Sequence, residues 1–192
     1  MTLVALDVHY LDSSAVRLGP TAPPHGAGRL GKTVREGGLP ARAAAVVFEH
    51  WTSSEALEEG VVSVLEVSQY IPGEFYRREL PCLLAALEKV SQTPEIIVVD
   101  GYVWLDNGKP GLGAKLFEAL EGKVAVVGVA KTRYAEADAL EVLRGSSASP
   151  LFVSAVGMNA LEAAQNVRQM HGPHRLPTLL TRVDRLCRSL AL

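Results

Sequence analysis

The chain has almost no cysteine: Cys82 and Cys187 are the only two among 192 residues. They stand far apart with no CxxC or His/Cys spacing, which excludes a zinc site and a disulfide framework and points to a reducing compartment. Aromatic residues are also scarce, at 6%. No apolar run approaches the roughly 18 residues of a membrane span. The opening MTLVALDVHY lacks the basic and long apolar regions of a signal peptide, so a cytoplasmic protein with no membrane contact is expected. Neither sign of charge is in excess, the formal net charge being -2. Nothing global marks a nucleic-acid binder, and a phosphate-binding surface has to be local. Internal repeats and low-complexity tracts are missing as well.

What is present is an ordinary globular composition, 48% hydrophobic and 21% charged, long enough for one domain over residues 1–192. Leu3 to Tyr10 reads as a strand carrying one acid, Asp7. Gly19 to Pro40 is rich in proline, glycine and basic residues and predicts a long loop. Ala41–Trp51 and Val61–Ser68, separated by the polar TSSEALEEG, predict two further strands in an antiparallel meander with the first. Phe75 to Val90 has Leu80, Leu83, Leu84 and Leu87 at helical spacing, with Glu79 in the row of Leu83, Ala86 and Val90.

The second half alternates. Ile96–Val99, four β-branched residues, predicts a buried strand that ends on Asp100 and Gly101. A helix over about Gly113–Leu120, a strand over Lys123–Val129, a short polar helix around Ala135–Arg144 and a strand over Ser149–Gly157 predict a parallel βαβ arrangement. Asn159 is placed to cap a helix bearing Ala160, Ala163, Ala164 and Val167 on one face. The last helix is amphipathic, with Leu176, Leu179, Leu180, Val183, Leu186, Cys187 and Leu190 inward and Arg182, Arg185 and Arg188 outward. A meander followed by alternating elements predicts an α/β protein with a ribonuclease H-like mixed sheet flanked by helices.

Asp7, Glu79 and Asp100 occupy positions otherwise reserved for apolar groups. In that sheet order the first and fourth strands are neighbours, so the three acids converge. Buried carboxylates are tolerable together only with a neutralising cation, and an all-oxygen donor set suits Mg²⁺ or Mn²⁺ and metal-assisted phosphoryl hydrolysis. Singly, each acid has an ordinary account: a satisfied strand-end group at Asp7, a partner of Arg77 or Arg78 at Glu79, a turn at Asp100. The glycines of GKPGLGAKL, Gly111 among them, fit neither GxxxxGK[ST] nor GxGxxG and read as a loop bringing backbone close to a ligand.

LDVHY with Asp7, QYIPGEFYRRELP from Gln69 to Pro81, IIVVDG with Asp100, VGVAK ending at Lys131, PLFVSAVG and HRLP together resemble the endonuclease V family. The resemblance runs in order along almost the whole chain. It implies a Mg²⁺- or Mn²⁺-dependent endonuclease that incises nucleic acid, DNA or RNA, near deaminated, hypoxanthine-type bases. By the same resemblance Asp7, Glu79 and Asp100 are catalytic metal-binding carboxylates, and Lys131 is a catalytic lysine stabilising charge on the phosphate. Tyr70, Ile71 and Pro72, with Gly73 closing the turn, match the wedge that fills the gap left by a rotated base. Gly101, Tyr102, Asp106 and Gly111 fall in the loop that shapes the base pocket. There the family's DGQG stands as DGYVWLDN, so Tyr102, Val103 and Trp104 replace small or amide residues. Asp106 holds the place of a family histidine, and Met158 that of the histidine in SPGH. Two alternatives follow from these departures: a relative that binds nucleic acid without cutting it, and a metal-dependent phosphohydrolase acting on another substrate.

Overall fold

The computed structural model describes residues 1–11, 40–65, 67, 74–134 and 137–189. The expected wedge, Tyr70 to Gly73, and almost all of the 19–40 loop lie outside the described residues. The meander is present. Strand β1, Leu3–Tyr10, pairs antiparallel with β2, Ala41–Phe48, and β2 pairs antiparallel with β3, Glu58–Val64. Strand β2 is buried along its whole length, Arg42 included, its small, β-branched and Phe48 side chains filling both sheet faces. Strand β3 begins earlier than the apolar pattern indicates, since Glu58 and Glu59 pair with Val47 and Val46. Their carboxylates are taken up by Ser91 and Arg182, so polar residues are tolerated in the strand.

Helix α1, Tyr76–Leu87, leads to β4, Ile96–Asp100, which lies parallel to β1. A one-turn helix at Asp106–Gly108 and helix α2, Leu112–Ala119, lead to β5, Ala125–Ala130, parallel to β4. The parallel expectation fails beyond this point. Where a polar helix is predicted, the described residues form a short edge strand, β6, Leu140–Val142, and β7, Leu151–Val156, runs antiparallel to both β5 and β6. A parallel β7 would need a crossover helix between β5 and β7, and β6 occupies that connection instead. The seven-stranded sheet has the order β3-β2-β1-β4-β5-β7-β6.

Helices α1 and α2 cover one face through Cys82, Leu83, Ala86 and Leu116. Helices α3, Ala160–Gln169, and α4, Thr178–Arg188, cover the other through Ala163, Ala164, Val167, Leu179, Val183 and Cys187. Ala160, expected inward, is exposed. Asn159 caps α3 as expected, its Oδ1 accepting the N–H groups of Leu161 and Glu162. The link from α3 to α4 is gathered by Arg144, whose buried guanidinium donates to the carbonyls of Arg168, Met170, Gly172, His174 and Arg175. Among the described residues no helix is long and apolar enough to cross a membrane.

Candidate active site

Strands β1 and β4 are parallel neighbours, with Leu6 opposite Val99, so the next residue of each, Asp7 and Asp100, emerges at the same end of the sheet. This is the carboxyl end of the parallel strands, where open α/β sheets hold their ligands. Glu79 arrives from the first turn of α1 on one face, and Asp184 from α4 on the other. All four carboxylates line one cleft of about 630 Å³.

The electrostatics are those of crowded, partly dehydrated acids. Burial pushes Asp7 up to about 7, with the Asp100 charge adding to it and the Val8 N–H bond, 2.8 Å long, opposing it. Burial likewise lifts Glu79 to about 8, helped by Asp7 and Asp100. Arg77 is engaged by Glu74, and Arg78, 4.2 Å over the Tyr10 ring, acts on Glu79 by its charge, which opposes the rise without cancelling it. Lys131, just past β5, places its Nζ 2.6 Å from Asp100 Oδ2 and 3.8 Å from Asp184 Oδ1. Burial pulls the Lys131 pKa down, but the hydrogen bond and charge of Asp100, with Asp7 and Asp184, outweigh it and leave it raised. Arg188 Nε closes the set, 3.1 Å from Asp184 Oδ2.

Oxygen donors alone, on four elements, suit a hard divalent cation. Two of the acids are pushed toward neutral pH by burial and by the neighbouring carboxylates, against the pull of Lys131 and Arg78, and a divalent ion would answer that crowding. Among the described residues no three His, Cys, Asp or Glu side chains are already drawn together into a metal cage. The donors fit the ion in kind, with the Lys131 ammonium lying against Asp100.

Residues 32–171 match the family model described as Endonuclease V. The chain belongs to the endonuclease V family. Its fold agrees: the Streptomyces avermitilis endonuclease V structure is 25% identical, with TM-score 0.70 over 98% of this chain and 80% of that one. The Bacillus subtilis endonuclease V structure is 16% identical, with TM-score 0.73 over 97% and 79%. A Ciona intestinalis endonuclease V in complex with a 24mer DNA containing an inosine followed by a ribo-adenosine is 16% identical, with TM-score 0.70 over 97% and 84%.

In this endonuclease V chain the structure brings Asp7, Glu79, Asp100, Gly101, Tyr102 and Gly111 to the cleft. Asp106 is in the one-turn helix and does not line it. Val103, expected to shape a base pocket, is wholly buried. Its N–H donates to Ser154 Oγ on β7 at 2.9 Å. Gly111 is needed for a reason other than ligand approach: a Cβ there would stand 2.5 Å from the Tyr102 carbonyl oxygen, so the close contact is with the chain's own backbone. Gly128, an interruption in β5, serves the same loop, because a Cβ there would lie 2.5 Å from the Gly101 carbonyl oxygen.

Two contributors escape a reading of the sequence. Asp184 sits among Arg182, Arg185 and Arg188 in what reads as a solvated row, yet its side chain is only 25% exposed and faces the acids. Arg182 of that row is committed to Glu59, with contacts of 2.7 and 2.8 Å. Arg175, in HRLP, donates from Nη2 to the carbonyls of Lys131 and Pro150 and so fixes the backbone from which the lysine projects.

Proposed function

We propose that this chain is a Mg²⁺- or Mn²⁺-dependent endonuclease that hydrolyses a phosphodiester bond in nucleic acid beside a deaminated, hypoxanthine-type base, working as one domain. The observation that carries the reading is the meeting of four carboxylates from β1, α1, β4 and α4 at the carboxyl end of the parallel strands, in one cleft. Family membership and the inosine-containing DNA held by the Ciona relative support the substrate class.

Asp7, Glu79, Asp100 and Asp184 would hold the cation, which when bound supplies an activated water and neutralises charge on the phosphate. Lys131, its pKa raised by the hydrogen bond and charge of Asp100, acts as a positive charge beside that carboxylate. A cation preorganised there stabilises negative charge building on the phosphate oxygens. Arg175, through the Lys131 carbonyl, holds that charge in place. Tyr70, Ile71 and Pro72, just ahead of α1 in the sequence, take the place of a displaced base in the stack.

The test is incubation of the protein with inosine-containing DNA and RNA oligonucleotides and Mg²⁺ or Mn²⁺, with Asp100→Ala as control. Nicking near inosine by the native protein and none by the variant is expected. Intact strands with both polymers and both metals would sink the reading.

A further inference from the structure

Arg42 is the one charged residue in a strand otherwise made of alanine, valine and phenylalanine, and the fold leaves only 9% of it exposed. Its Nε and Nη1 are enclosed without a hydrogen-bond partner, and among the described residues no carboxylate pairs with it. A guanidinium does not lose its proton, so the charge stays in place uncompensated, an arrangement that costs stability. Arg144, also buried, shows the contrast: its guanidinium is met by five carbonyls.

The position of Arg42 indicates what would compensate it. His9 on β1 and Ser63 on β3 are its cross-strand partners, so the three side chains share one sheet face. It is the face under α4, because Ala44 and Val46, next in the alternation of β2, pack in one cluster with Val183 and Cys187. Asp7 stands on that face too, opposite Ala44 and one step of the alternation before His9. Asp184 and Arg188, from the helix above it, line the cleft. Two residues of strand span roughly 7 Å and the adjacent strand lies roughly 5 Å away, which puts the backbones of Arg42 and Asp7 about 9 Å apart. A row of imidazole, guanidinium and hydroxyl offers donors to an anion, and the guanidinium fork matches two oxygens of a phosphate.

We propose that Arg42, flanked by His9 and Ser63, anchors a backbone phosphate of the nucleic-acid strand outside the reacting position, and that the fold retains an uncompensated buried charge for that ligand. The inference rests on the reading of the cleft as a nuclease site.

Two measurements on Arg42→Met separate an anchor from a structural residue. In EDTA without nucleic acid, its melting midpoint should equal or exceed that of the native protein, since a charge with no partner is removed. Against a labelled homothymidine single strand, followed by fluorescence anisotropy in EDTA over a series of salt concentrations, its affinity should fall roughly tenfold or more, the size of one charge-assisted hydrogen bond. The slope of log affinity against log salt should flatten by about 0.7, the counterion release of one phosphate on a single strand. Arg42→Lys, which keeps the charge and loses the fork, should retain the slope while binding less tightly than the native protein. A midpoint lowered by several degrees in Arg42→Met, or a salt slope equal to the native one, would overturn the anchor even in a protein that nicks inosine strands. The expected loss of slope in a protein that nicks nothing with Mg²⁺ or Mn²⁺ would uphold the anchor and remove the nuclease reading instead.

Discussion

Asp184 shows how much of a site can depend on a single side chain with no motif of its own. Lys131 lies between Asp100 and Asp184, and Arg188 braces Asp184 from the next turn of α4. Asp184→Asn keeps the shape and removes the charge. It is expected to lower both Mn²⁺ affinity and nicking by at least the roughly 10- to 100-fold that loss of an outer-shell partner costs, measured by calorimetry and by initial rates. Undiminished affinity and rate in this variant would remove Asp184 from the donor set. Asp7, Glu79 and Asp100 are legible in the sequence because each breaks an apolar pattern. Asp184 is not, because on an amphipathic helix a charged residue between arginines fits the polar row, and only the fold shows that this part of the row meets the cleft.

At the scale of elements, the loop from Gly101 to Gly111 is built by what surrounds it. It crosses over β5 at Gly128, whose missing side chain makes room, and is fastened to β7 through Ser154, the antiparallel partner of Gly128. Gly128→Ala would force a methyl to 2.5 Å from the Gly101 carbonyl oxygen. Overpacking of this kind costs about 1–3 kcal/mol, which lowers the melting midpoint of a chain this size by roughly 2–12 °C. Nicking should fall with it, because Gly101 directly follows Asp100. Melts followed by circular dichroism and the same nicking assay check both, and an unshifted midpoint would contradict the crossing. None of this is legible beforehand: a glycine in a strand announces a close approach but not by what. Strand β6 escapes for a different reason. Three residues are too few to show a period of two, and in a polar stretch they read as helix.

For the molecule as a whole, the first two-thirds of the sheet follow from the pattern because hairpin spacing and β-branched runs constrain β1 to β5. The direction of β7 does not, since buried strands look alike whichever way they run. The assembled acids give the folded protein a pH dependence of definite sign. Asp7 and Glu79 stand at about 7 and about 8, against 3.8 and 4.5 without the fold. Between those limits the native state binds more protons than the unfolded one, so stability falls as pH rises from about 4 through 8. In chelator the melting midpoint should therefore drop across this window. Added Mn²⁺, which binds the deprotonated acids, should raise it far more at pH 8 than at pH 5.5. A midpoint in EDTA that stays level from pH 5 to 8.5 would disprove this. The attachment of α4 is of another kind. Arg144 gathers five carbonyls of the chain leading into that helix, and a guanidinium keeps its charge throughout this range while backbone oxygens have none to lose. The hold of Arg144 on the chain leading into α4 is thus blind to acidity, whereas the tie of Arg182 to Glu59 on the same helix is made with a carboxylate and is lost in acid.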